Sequence, residues 1–142
     1  MHTPVLPPWI GAGFFLIVCG AALWKGGRDE RVVAVGLLLS WAVSYLSLIQ
    51  RRPGTQWGEF AADALLLALL GVVALRSRRY WPLAAAAFQL LAVVTHAATL
   101  VDRHLGAWAY ITANVIWTQL ITMALAIGTY NDWRARRQVA AA

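Results

Sequence analysis

Two ionisable residues fall where an apolar segment should not hold them. Asp63 sits in the run from Phe60 to Leu70, and His96 follows the apolar stretch that begins at Trp81. A charge in such surroundings is costly, so these side chains are expected to turn toward a protein interior and to find partners there. Helical spacing extends each one. Gln56, Glu59 and Asp63 recur at three and four residues and share a face. Gln89, His96, Thr99 and Arg103 form a comparable stripe, as do Asn114, Thr118 and Thr122. Imidazole and carboxylate together can exchange a proton near neutral pH or anchor a polar ligand. The expected site is therefore Asp63 and His96 as the exchanging pair, Glu59 on the Asp63 face, and Asn114 as a hydrogen-bond partner. Trp41 and Trp117, with Tyr45 and Tyr110, are placed to wall its apolar part. The competing reading is a buried polar clasp that sets helix register, with the tryptophans filling the interior.

Other chemistries find less to work with. His2, His96 and His104 could meet Glu59, Asp63 and Asp102 around a metal, but no metal-ligand spacing is present, and Asp102 to His104 reads as a solvated loop. Haem would have His96 as its one axial candidate. No nucleophile elbow, phosphate loop or dinucleotide fingerprint occurs, so no cofactor is indicated.

The elements that must position these residues follow from composition. Of 142 residues, 61% are hydrophobic and 13% charged, and the charges cluster between long apolar runs. That pattern predicts an all-α integral membrane bundle of five transmembrane helices in a single domain. The helices are expected at about residues 8–24, 32–49, 57–75, 80–101 and 107–130, with a basic tail over 131–142. Pro7 and Pro8 suit a helix start, and Pro53-Gly54 marks a turn. The first apolar run lacks the basic segment that a cleavable signal needs ahead of it, and is read as a retained helix.

Orientation follows from the short loops. Lys25, Arg28, Arg31, Arg76, Arg78, Arg79, Arg134, Arg136 and Arg137 fall on one side; Arg51, Arg52 and Arg103 fall on the other. The excess belongs in the cytoplasm, which puts the N-terminus outside and the C-terminus inside. Trp9, Trp24, Trp57, Trp81, Trp108 and Trp133 all land at span ends, where an indole is half in lipid and half wet. Asp63, His96 and Asn114 then share one level near the outer face, about 8–10 Å deep at about 1.5 Å per residue.

Small residues at helical spacing (Gly36, Ser40, Ser44; Ala61, Ala64, Ala68; Ala84 to Ala87) read as packing faces. The net charge of +6 has no accompanying nucleic-acid motif, so no nucleic-acid partner is expected. The lone Cys19 can form no internal disulfide. The stretch from Arg76-Ser-Arg-Arg-Tyr-Trp-Pro-Leu to Thr95-His96 resembles small polytopic bacterial inner-membrane proteins of no assigned function, and the resemblance implies a multi-pass inner-membrane location only. Five spans rich in tryptophan resemble the translocator-protein family in composition but lack its aromatic and proline motifs. Small multidrug carriers are similar in length, but their acidic residue lies in a first helix that here has none.

Three functional readings follow. The first is a non-enzymatic accessory or structural subunit, partnered by membrane lipids and by other membrane subunits or further copies of itself. The second is a binder or transporter of a small or amphipathic solute through Asp63, His96 and Asn114. The third is a lipid-modifying enzyme with His96 as base.

Overall fold

The structure is a computed structural model that describes the backbone of residues 8–50, 55–101 and 107–141 and the side chains of 9–47, 57–98 and 110–141. It is all-helical over the described residues: α1 Pro8–Lys25, α2 Arg28–Gln50, α3 Thr55–Arg76, α4 Trp81–Val101 and α5 Ala107–Ala140. The expected side chains of His2, Gln56, Thr99, Asp102, Arg103, His104 and Trp108 lie outside the described set.

Two boundaries differ from expectation. Helix α2 starts at Arg28, four residues early, because Asp29 and Glu30 in its first turn complement the positive end of the helix dipole. Helix α5 absorbs most of the basic tail and reaches Ala140, with Arg137 in its last turn where a cation is favoured. Four helices, α2 to α5, are long and apolar enough to cross a membrane, whereas the described apolar run of α1, Trp9–Lys25, is shorter.

Each helix packs on its chain neighbours, and α1 closes the ring against α5, which also touches α2. The register is readable from contacts. Gln119 Nε2 donates to the Gly11 carbonyl at one end of the α1–α5 seam, and Arg136 donates to the Lys25 carbonyl at the other, so α1 and α5 run parallel. The core takes a stripe from each helix: Phe15, Val18, Cys19 and Ala22; Val33, Ala34 and Leu37; Leu66, Leu70 and Val73; Trp81 and Ala85; Ile121, Ala124 and Leu125. The three- and four-residue steps put each set on one face.

The outside is as apolar as the inside. Ile17 and Leu65 are each 72% exposed and Leu75 is 90% exposed, while Glu30, Gln89 and Thr122 are buried. Polar residues within and large apolar ones without is the reverse of what water selects.

Trp81 corrects its expected place at a wet helix end. It is 7% exposed, and its ring lies flat on Gly128 of α5, where a Cβ would stand 2.6–2.7 Å from the ring atoms. Only glycine allows that approach. Gly128→Ala is therefore expected to force the α4–α5 seam apart and cost about 1–3 kcal/mol, read as a lower unfolding temperature in mild detergent. Gly20→Ala is the control. Its Cβ would meet nothing within 4 Å, and replacing a mid-helix glycine should hold or raise the same temperature.

Candidate functional site

Asp63 on α3 and His96 on α4 meet directly. His96 Nδ1 lies 2.8 Å from Asp63 Oδ2. Antiparallel packing of α3 and α4 across the short 77–80 connection brings a residue 13 before the end of α3 level with one 15 into α4. The other carboxylate oxygen, Oδ1, accepts from Gln89 Nε2 at 3.2 Å and from Ser40 Oγ of α2 at 3.3 Å. Gln89 also donates to the Asp63 backbone carbonyl at 3.1 Å. One carboxylate is thus held from α2 and α4 at once.

The far side of the imidazole is occupied too. Tyr110 of α5 hydrogen-bonds His96 Nε2, with its ring edge-on to the imidazole at 5.2 Å between centroids. Glu59 Oε2 stands 3.6 Å from the same nitrogen, one helical turn before Asp63. A consistent proton arrangement has Nδ1–H donating to Asp63 and the Tyr110 hydroxyl donating to Nε2. With a second proton on the ring, Nε2–H donates toward Tyr110 or Glu59. Carboxylate, imidazole and phenol therefore form a continuous hydrogen-bonded chain spanning α3, α4 and α5, an arrangement through which a proton can be passed. His96 is 6% exposed, Asp63 15% and Glu59 22%, and Tyr110 is half-buried, so the group meets its surroundings at Glu59 and Tyr110.

The remaining expected members stand apart. Asn114 enters the described contacts only through its backbone carbonyl, which accepts from Thr118 Oγ1. Trp117 Nε1 donates 3.1 Å to Thr95 Oγ1, the neighbour of His96, and so braces α4 against α5. Trp41 stacks on Tyr45 at 5.6 Å and tilts against Phe15 of α1. Neither the hollow between α1 and α5 nor the one between α2 and α3 is lined by Trp41 or Trp117.

A second polar centre, at the opposite end of the bundle, escaped sequence reasoning. Arg79 forks between Glu30 Oε1 at 2.6 Å and Asp132 Oδ1 at 2.5 Å. Asp132 Oδ2 also meets Arg136 at 2.9 Å. Glu30 is fully buried and Asp132 nearly so. The turn between α1 and α2 makes room for them. A Cβ on Gly27 would sit 2.9 Å from both Glu30 Oε2 and Asp132 Oδ2, and one on Gly26 would sit 2.8 Å from Glu30 Cβ. The hydrogen bond to Asp132, with the charge of Glu30, raises the Arg79 guanidinium above its usual range against its partial burial. It stays charged at any pH the fold survives. Glu30 and Asp132 read as loop and tail in the sequence, because each stands among arginines. The available signal was the Gly26-Gly27 pair, which marks a close approach.

Searches against protein-family models, curated proteins and solved structures found no match to this chain.

The two networks make separable predictions. Asp63→Ala and His96→Ala should each cost about 1–3 kcal/mol, because each strands a buried polar partner. Combined, they should cost less than their sum by about 1 kcal/mol, measured as a double-mutant cycle of unfolding in detergent. Arg79→Gln leaves two buried carboxylates short of their cation and should cost about 3 kcal/mol; Arg79→Lys, which cannot fork, should fall between that and the wild type.

Proposed function

We propose that the chain is a multi-pass inner-membrane protein with all five helices spanning, N-terminus outside and C-terminus in the cytoplasm, and that it serves as a non-enzymatic accessory subunit. The membrane reading draws on the apolar exterior and on the nine-to-three division of basic residues between the two ends. Helix α1, at 18 residues, is at the short end of what crosses a bilayer.

One observation carries the subunit reading: the ionisable groups of both networks pair chiefly with one another, with Glu30 Oε2 and Asp132 Oδ2 the buried carboxylate oxygens left without a hydrogen bond among the described residues, while the faces left over are apolar. The Asp63 network joins α2, α3, α4 and α5. The Arg79 network joins α2 and α5, and Arg136 adds the end of α1. A bundle pinned at both ends in this way offers partners its outer surface rather than an interior cavity. The groove of about 280 Å³ between α2 and α3, floored by Gly36 and Ala62, is one place where a neighbouring helix would fit closely.

A second reading has a specific observation behind it. Glu59 is partly exposed and faces the imidazole at 3.6 Å, which suits binding or proton-coupled handling of a small solute from the outer side. The lipid-modifying enzyme has weaker support, because His96 has both ring nitrogens engaged.

Purification of the full chain in mild detergent separates the two. The subunit reading expects a defined oligomer or a co-purifying membrane protein, retained in Glu59→Gln. The solute reading expects a monomer, with proton uptake into vesicles or ligand retention that Glu59→Gln removes by about tenfold or more. A monomer with neither property overturns both.

A further inference from the structure

We infer that the groove between α1 and α5 at the basic end is a binding site for one anionic diacyl phospholipid, with an acyl chain along the groove and its phosphodiester between Lys25 and Arg137. This rests on the membrane reading above. The groove encloses about 260 Å³, with Ile17 and Ala21 on one wall and Ala126, Tyr130 and Trp133 on the other. Its walls are apolar along their length, which suits a hydrocarbon chain.

Its mouth is built differently from its length. Lys25 Nζ stands 5.3 Å from the centre of the Trp133 ring, and the Arg137 guanidinium stands 4.3 Å from the same ring. Both cations lie against that one ring. Among the described residues no carboxylate pairs with either, in contrast to Arg79 and Arg136, whose charges are taken up by Glu30 and Asp132. An anion is the missing complement.

A second observation lies within the groove. Thr129 lines it, is 6% exposed, and its Oγ1 has no hydrogen-bond partner among the described residues. A buried hydroxyl in an otherwise apolar channel lacks an acceptor. An ester carbonyl one step below a phosphodiester supplies it. The order of groups along the groove is thus apolar wall, hydroxyl, aromatic ring and cations, which is the order of a phospholipid from chain to headgroup. Interfacial tryptophan and tyrosine mark the same level.

The test uses the full chain in mild detergent with equal amounts of phosphatidylglycerol and phosphatidylcholine of identical chains, and counts retained lipids by native mass spectrometry. One phosphatidylglycerol should be held in preference to phosphatidylcholine by about tenfold or more. The double change Lys25→Gln with Arg137→Gln should bring that preference close to unity. Ala21→Phe, which fills the groove from an exposed position, should remove the retained lipid altogether with an unchanged unfolding temperature. Arg78→Gln, an exposed basic residue away from the groove, should change nothing. Equal retention of the two lipids, an Ala21→Phe variant that still holds phosphatidylglycerol, or an equal loss in Arg78→Gln each overturns the site. Displacement by soluble glycerol phosphate would make it an anion site without a chain and overturns it as well. Failure of the membrane reading looks different: the chain would then be washed from membranes by alkaline carbonate.

Discussion

A carboxylate buried among apolar helices finds most of its partners on other elements of the fold, and this constraint organises the bundle. Leaving such a group unpaired costs more than almost any single packing defect. The helices must therefore rotate and slide until each carboxylate is met. Asp63 is met by Ser40, Gln89 and His96; Glu30 and Asp132 are met by Arg79. With so many large apolar side chains on the exterior, burial of hydrophobic surface would have little power to choose among helix arrangements in the proposed lipid setting, and the polar contacts would supply that choice.

The two networks solve the problem with different chemistry. At the basic end two carboxylates meet a forked guanidinium and a second arginine. That arrangement is insensitive to pH through its cations and serves as a fixed pin. At the other end no arginine or lysine among the described residues approaches Glu59 or Asp63, and the central group is an imidazole. The same geometry therefore accommodates either one or two protons on the ring, with Tyr110 reversing its role between donor and acceptor. Between the centres lies a continuous apolar layer that includes Leu70, Ala85 and Leu125. The two ends are chemically isolated from one another.

That isolation bears on function. A through-going polar path would invite a channel or carrier reading, whereas two polar ends around a mainly apolar middle suit the proposed use of the outer faces. Those faces are not uniform. The small residues between α2 and α3 allow close approach of another helix, and the α1–α5 groove ends in unpaired cations.

Much of this was legible in the residues alone. Apolar runs broken by charge clusters determined five helices, because a helix is the economical way to satisfy backbone polar groups in apolar surroundings. The spacing of Glu59 and Asp63, and the matching depth of His96, determined that these groups share a level. Sequence could not decide which neighbours complete the site. Tyr110 rather than Asn114 reaches His96, because the rotation of α5 is set by its packing on α1 and α4, notably Trp81 against Gly128. Nor could it separate Glu30 and Asp132 from the solvated charges beside them. In a run such as Arg28 to Arg31, burial depends on which way the helix faces once the chain has closed around it, and only the tertiary structure determines that.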